Sequence, residues 1–162
     1  MAALDWLPWR RPRRLPMARV SSGRVEIEGE VEALATLPDP VSGRVCVALE
    51  YEAAPPSALS VTGVPHSTRA YTITAHQAVD FVLTDGDCRV LVKVPREQDD
   101  VARVHAHLTA EHGLALRVAV ATIEPGERVV VVGRVVDQDP KSTPYRSVHY
   151  RAIVHAERFF PA

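Results

Sequence analysis

From Arg24 to Ala33 apolar and charged positions alternate: Val25, Ile27, Val31 and Ala33 on one face, Glu26, Glu28, Glu30 and Glu32 on the other. Side chains two apart on a strand share a face, so this pattern predicts a half-buried antiparallel strand with a solvated acidic side. Gly29 inside it marks an expected bulge or tight bend. Two further segments, Pro40-Val41-Ser42-Gly43-Arg44-Val45-Cys46-Val47 and Ile123–Val135, each place Pro and Gly ahead of a β-branched apolar run. That is the signature of a turn launching a strand. Strands are expected at Arg44–Glu52, Arg69–Ala75, Ala78–Thr84, Cys88–Val94, Leu116–Ile123, Arg128–Val136 and Val148–Glu157, with a hairpin turn at Thr84-Asp85-Gly86-Asp87. Ala53–Pro65, rich in proline, reads as a loop.

Only one segment carries helical spacing. Val101, Val104 and Leu108 recur on one face of Asp99–His112. Asp99 and Asp100 suit the positive N-terminal end, His112 the last turn, and Gly113 the position just past it. Strands, one helix, then strands again is the order of a small OB-like β-barrel, in which a helix separates the third and fourth strands. The expected fold is therefore all-β with one helix. Residues 23–162 form the barrel domain, with the helix near 99–112. Residues 1–22 differ in kind. Prolines 8, 12 and 16 block a helix, and Ser21-Ser22-Gly23 reads as a flexible joint, so this segment is expected to be a tail.

Composition refines this picture only in part. With 162 residues, 46% hydrophobic and 6% aromatic, the core must be built from Val, Ala, Leu and Ile. A net charge of −1 gives no global attraction to nucleic acid or to anionic lipid. Cys46 and Cys88 lie in apolar runs, without CxxC or zinc-type spacing, and read as small buried thiols. No apolar run is long enough for a membrane-spanning helix. The N-terminus lacks the apolar stretch of a signal peptide. The expected location is the cytoplasm, with peripheral membrane contact as an option.

Candidate chemistry is sparse. His105 and His107 on the predicted helix diverge, and His105 and His112 stand two turns apart, about 10.5 Å by helical rise, so neither pair clamps a metal. His107 and Glu111 have the spacing of a surface pair. No cofactor or metal is expected. His149, Arg151 and His155 alternate along the last strand, behind Tyr145 and Arg146, and form a candidate face for an anion or a partner, interrupted by Ile153. In the tail, Trp6 and Trp9 stand among Arg10, Arg11, Arg13 and Arg14. Indoles and guanidinium groups together suit docking to a protein partner or a lipid interface. Single-stranded nucleic acid is disfavoured as a partner, because Tyr51, Tyr71 and Phe81 fall on the apolar faces of their strands rather than in a basic groove.

The stretches Val25–Ala33, Asp39–Val47, Val79–Gly86 and Ile123–Val129 together resemble the GIDE-type, or beside-a-membrane, domain of membrane-anchored E3 ubiquitin ligases and of bacterial proteins. The resemblance covers roughly residues 24–160. It implies an OB-like barrel near a membrane that binds a ligand or a protein. Ligase activity in that family belongs to a separate RING domain, whose cysteines this sequence does not supply. The expected function is a non-enzymatic binding or assembly module. The alternatives are an enzyme with a shallow site lined by His149 or His155 and a carboxylate such as Glu157 or Asp137, and a single-stranded nucleic-acid binder.

Overall fold

A computed structural model describes residues 14–55, 72–138 and 149–162. Among these residues the chain is mostly β with one α-helix, and it divides into two compact units. The first contains Met1–Ala35, Asp80–Pro95 and Pro125–Ala162; the second contains Thr36–Val79 and Arg96–Glu124. The helix expected in the barrel domain belongs to the second unit.

The first unit is a closed barrel of five strands: β1 (Gly23–Ala33), β6 (Phe81–Asp85), β7 (Cys88–Lys93), β9 (Arg128–Gln138) and β10 (Ala152–Pro161), in the spatial order β1-β6-β7-β10-β9. All neighbours are antiparallel except β7 and β10, which run parallel. In chain order this is the OB-like arrangement expected from the sequence, with α1 (Val101–His112) falling between the third and fourth barrel strands. β1 pairs with β9 as far as Glu30 and with β6 from Glu30 onward. Its alternation is the predicted one: Val25, Ile27 and Val31 are buried. Gly29 keeps a regular register opposite Val129 rather than forming a bulge. The glycine is needed for space, because a Cβ there would lie 2.8 Å from both Met17 Cε and the Thr84 carbonyl oxygen.

Met17 shows how the expected tail departs from expectation. It lies in a 3-10 turn, Met17–Arg19, and is 1% exposed; Val20 is also enclosed. Arg14 bridges to Glu26 in parallel and pairs with Glu28, and the Leu15 amide donates to the Glu26 carbonyl. Residues 14–22 are thus part of the barrel unit. Prolines forbid a helix, but they do not stop a short extended segment from burying an unbranched Met side chain. Residues 1–13, which hold Trp6, Trp9, Arg10, Arg11 and Arg13, lie outside the described residues.

The second unit joins a two-stranded ribbon to a three-stranded sheet. The ribbon pairs β2 (Leu37–Pro38) with β3 (Val45–Cys46); the sheet has the order β5-β4-β8, from β4 (Ala48–Ala54), β5 (Ile73–Ala78) and β8 (Arg117–Ile123). Tyr51, Ala53 and Ala75 pack with Val101 and Leu108 of α1 as one apolar cluster, joined by Cys46 and Leu49. The single strand expected over Arg44–Glu52 divides at Val47, whose amide bonds to Ile123 and whose carbonyl accepts from Val79. Likewise Asp80 separates β5 from β6 by accepting the Val94 amide at 2.9 Å and the Lys93 ammonium at 2.8 Å. The expected Ala53–Pro65 loop falls mostly on residues 56–71, outside the described residues, as does Tyr71.

Helix α1 begins two residues later than Asp99. Asp100 is the N-cap, accepting from the Arg103 amide at 3.1 Å. Asp99 instead turns to the sheet and accepts the His76 amide at 2.9 Å. At the other end Gly113 adopts φ +59, as a C-terminal glycine should.

Candidate functional site

From His149 to Ala156, through the residues leading into β10 and its first half, exposed and enclosed side chains alternate: His149, Arg151 and His155 face solvent, while Tyr150, Ala152, Val154 and Ala156 are buried. All three candidate residues are exposed, but β10 begins at Ala152 rather than at the expected Val148, so His149 and Arg151 precede the strand that carries His155. The pairing of β10 extends this row sideways. His155 is in register with Lys93 of parallel β7 and with Arg134 of antiparallel β9. The Arg151 amide donates to the Arg89 carbonyl at 2.7 Å, which puts those two arginines on adjacent chains. Ile153, which interrupts the row, packs with Val82, Leu91 and Tyr150. It gives the face an apolar floor. Tyr145 and Arg146 lie outside the described residues.

The cations on this face are partly matched. Lys93 pairs with Asp80 at 2.8 Å, Arg89 with Glu32 at 3.0 Å, and Arg134 with Glu157 at 3.4 Å. Glu157 is shared with Arg24 at 2.8 Å. Among the described residues Arg151 and His155 have no ion-pair partner. The carboxylate considered for an enzyme, Glu157, is engaged by two guanidinium groups. Asp137 stands opposite Ile153 and is exposed.

The acidic side of β1 is also less solitary than alternation suggested. Glu28 lies between Arg14 and Arg128, the latter at 3.2 Å, and Glu32 meets Arg89. Arg14 and Arg128 come from segments that bridge or pair with β1, and Arg89 reaches across from β7, one strand beyond β6, information that a single strand's pattern cannot hold. No family model, curated protein or solved structure matches this chain.

The other histidines have local roles in the second unit. His105 Nδ1 lies 2.8 Å from the hydroxyl of fully buried Tyr51, with the rings edge to face at 5.6 Å. Burial pushes the Tyr51 phenol upward from its ordinary pKa. His107 meets Glu111 at 3.6 Å, the surface pair that the spacing predicted. Among the described residues no group of His, Cys, Asp or Glu is arranged to hold a metal ion. Cys46 and Cys88 are both free; Cys46 donates to the Leu37 carbonyl at 3.4 Å, and burial raises its pKa, with Asp39 and Glu124 adding to the effect. A deprotonated nucleophile is disfavoured there. Tyr51 and Phe81 are fully buried, as their strand faces predicted. Among the described residues no helix is long and apolar enough to cross a membrane.

Two features escaped the sequence reading. One is the part Asp39 plays in the expected turn, now between β2 and β3: it is buried at 7% exposure, and its carboxylate accepts the Val41 amide at 2.8 Å and the Ser42 hydroxyl at 2.5 Å. An aspartate two residues before an amide and three before a serine is a readable signal for such a turn. The other is the outer edge of β8, a strand with no charge after Arg117 until Glu124.

Proposed function

We propose that the protein is a non-enzymatic binding module that takes an acidic segment of a protein partner along the outer face of β10. The register that sets His155 between Lys93 and Arg134 carries this reading. An isolated surface charge contributes little, but a row of cations with shared counter-ions on rigid strands recognises an acidic chain at low orientational cost. Arg151 and His155 supply the donors that have no carboxylate of their own among the described residues, and half-buried Ile153 supplies apolar contact between them. A GIDE-type domain, which the sequence resembles, is consistent with a protein-binding barrel.

Calorimetric titration of a glutamate-rich peptide at low salt tests the reading. Arg151→Glu with His155→Glu should weaken binding at least about tenfold, or about 1.4 kcal/mol, with an unchanged circular dichroism spectrum. Equal affinity for the wild type and the charge-reversed variant would remove the assignment. A single-stranded oligonucleotide bound more tightly than the peptide would shift it to nucleic acid.

A further inference from the structure

The three-stranded sheet of the second unit has two edges, and they are treated differently. At β5 the His76 amide donates to Asp99 Oδ2, the Asp99 amide returns to the His76 carbonyl, and the Ala78 amide donates to Gln98 Oε1. That edge is closed by residues 98–99. Backbone direction alternates along a strand. Since His76 and Ala78 point outward, Ala75 and Gln77 point to β4 and meet Tyr51 and Leu49. Glu50 and Glu52 then point the other way and meet Ala121 and Ala119 of β8. Val118, Val120 and Thr122 are left with their N–H and C=O groups aimed at the far edge. β4 is the one strand paired with β8 among the described residues.

Proteins usually blunt such an edge with a charge, a proline, a bulge or a cover. Between Arg117 and Glu124 β8 has no charge and no proline, and its register with β4 is continuous. Its sequence, Val118-Ala119-Val120-Ala121-Thr122, also reads nearly the same in both directions about Val120. We infer that β8 pairs antiparallel with β8 of a second copy of this chain about a two-fold axis at Val120, making one continuous six-stranded sheet.

In that register Val120 meets Val120 and Val118 meets Thr122, so every outward backbone group of these three residues finds a partner. Ala119 faces Ala121 of the second copy as a close, non-hydrogen-bonded pair, where small side chains fit. Both alanines lie on the exposed side. Val118 and Val120 are half-buried and pack against the apolar cluster beneath α1, so the two clusters become continuous. The two-fold also carries Arg117 to the end of the strand where the second copy has Glu124. The same patch is used on both sides, as a closed dimer requires.

Sedimentation equilibrium of the full chain, from low to high micromolar concentration, should show a dimer. Ala119→Lys alone and Ala121→Lys alone each place a lysine opposite an alanine and should leave the dimer within about threefold of wild-type affinity. The double variant brings the two introduced ammonium groups face to face across the axis, once on each side of it, and should weaken the dimer at least about hundredfold. Within one copy positions 119 and 121 lie across from Glu52 and Glu50, so the fold accepts lysine at both. Thr122→Pro, which removes an outward N–H on an edge strand, should give the same loss by a route without charge. Hydrogen exchange should show the Val118, Val120 and Thr122 amides slow in the wild type and fast in the double lysine variant. A wild-type monomer at the highest concentration, a dimer indifferent to these changes, or protection of these amides only after another protein is added would each overturn the inference.

Discussion

Asp39 shows what a single side chain contributes here. Burial disfavours its charged form, but the Ser42 hydroxyl, the amides of Val41 and Ser42 and the charge of Arg44 outweigh this and hold its carboxyl below the ordinary value of 3.8. A carboxylate depressed on folding adds stability that is complete above its unfolded pKa and is lost as the pH falls through the folded one. Asp39→Asn keeps the volume but cannot accept from both donors. It should cost about 1–2 kcal/mol at neutral pH, and the gap to wild type should close in acid; thermal melts at the two pH values measure this. Gly29 and Gly133 show a limit of reading residues singly. In the sequence Gly29 reads as a bulge or tight bend. Each is instead a site of close approach, and at Gly133 a Cβ would come within 2.8 Å of Val154 Cγ1 and closer still to the His155 carbonyl oxygen. Sequence shows a glycine; only the neighbouring strand shows why nothing larger fits.

At the scale of elements, periodicity located the helix and most strands, because their apolar faces repeat at the spacing their backbones impose. It misplaced breaks that side chains create, such as the one Asp80 makes between β5 and β6, since the pattern runs on across it. It also missed the packed end of the tail, where burial depends on Met17 and Val20 alone. A deletion experiment separates the two parts of that segment. Removing residues 1–13 should leave the melting temperature within a few degrees of wild type, whereas removing residues 1–22 discards two buried side chains and the Arg14–Glu28 pair and should cost about 2–5 kcal/mol. Comparing the shorter deletion with the full chain in sedimentation with anionic vesicles then tests whether Trp6, Trp9, Arg10, Arg11 and Arg13 carry any membrane contact. The candidate face was legible as a row, because alternation survives from His149 to Ala156. Its flanking Lys93 and Arg134 were not, because cross-strand register has no local code.

For the whole molecule, chain order matters more than any one contact. β1 closes the barrel against β9, and ion pairs such as Arg128–Glu28 join residues 100 positions apart. Loops of that length must close before those contacts form, so refolding should take milliseconds to seconds rather than microseconds; stopped-flow tryptophan or tyrosine emission would record it. The OB-like ring was foreseeable from the order of elements. Its division from a second unit was not, since composition does not change where the chain passes from one to the other. The parallel contact of β7 with β10 follows from counting. Strands that point alternately up and down can circle back to their starting point only when their number is even. Five is odd, so somewhere on the circumference two neighbours must point the same way, whatever side chains they carry. Such neighbours cannot be joined by a tight turn. Lys93 and Ala152 are accordingly far apart along the chain: it leaves the ring after Lys93, carries there the one α-helix among the described residues, re-enters as β9, and reaches β10 only then.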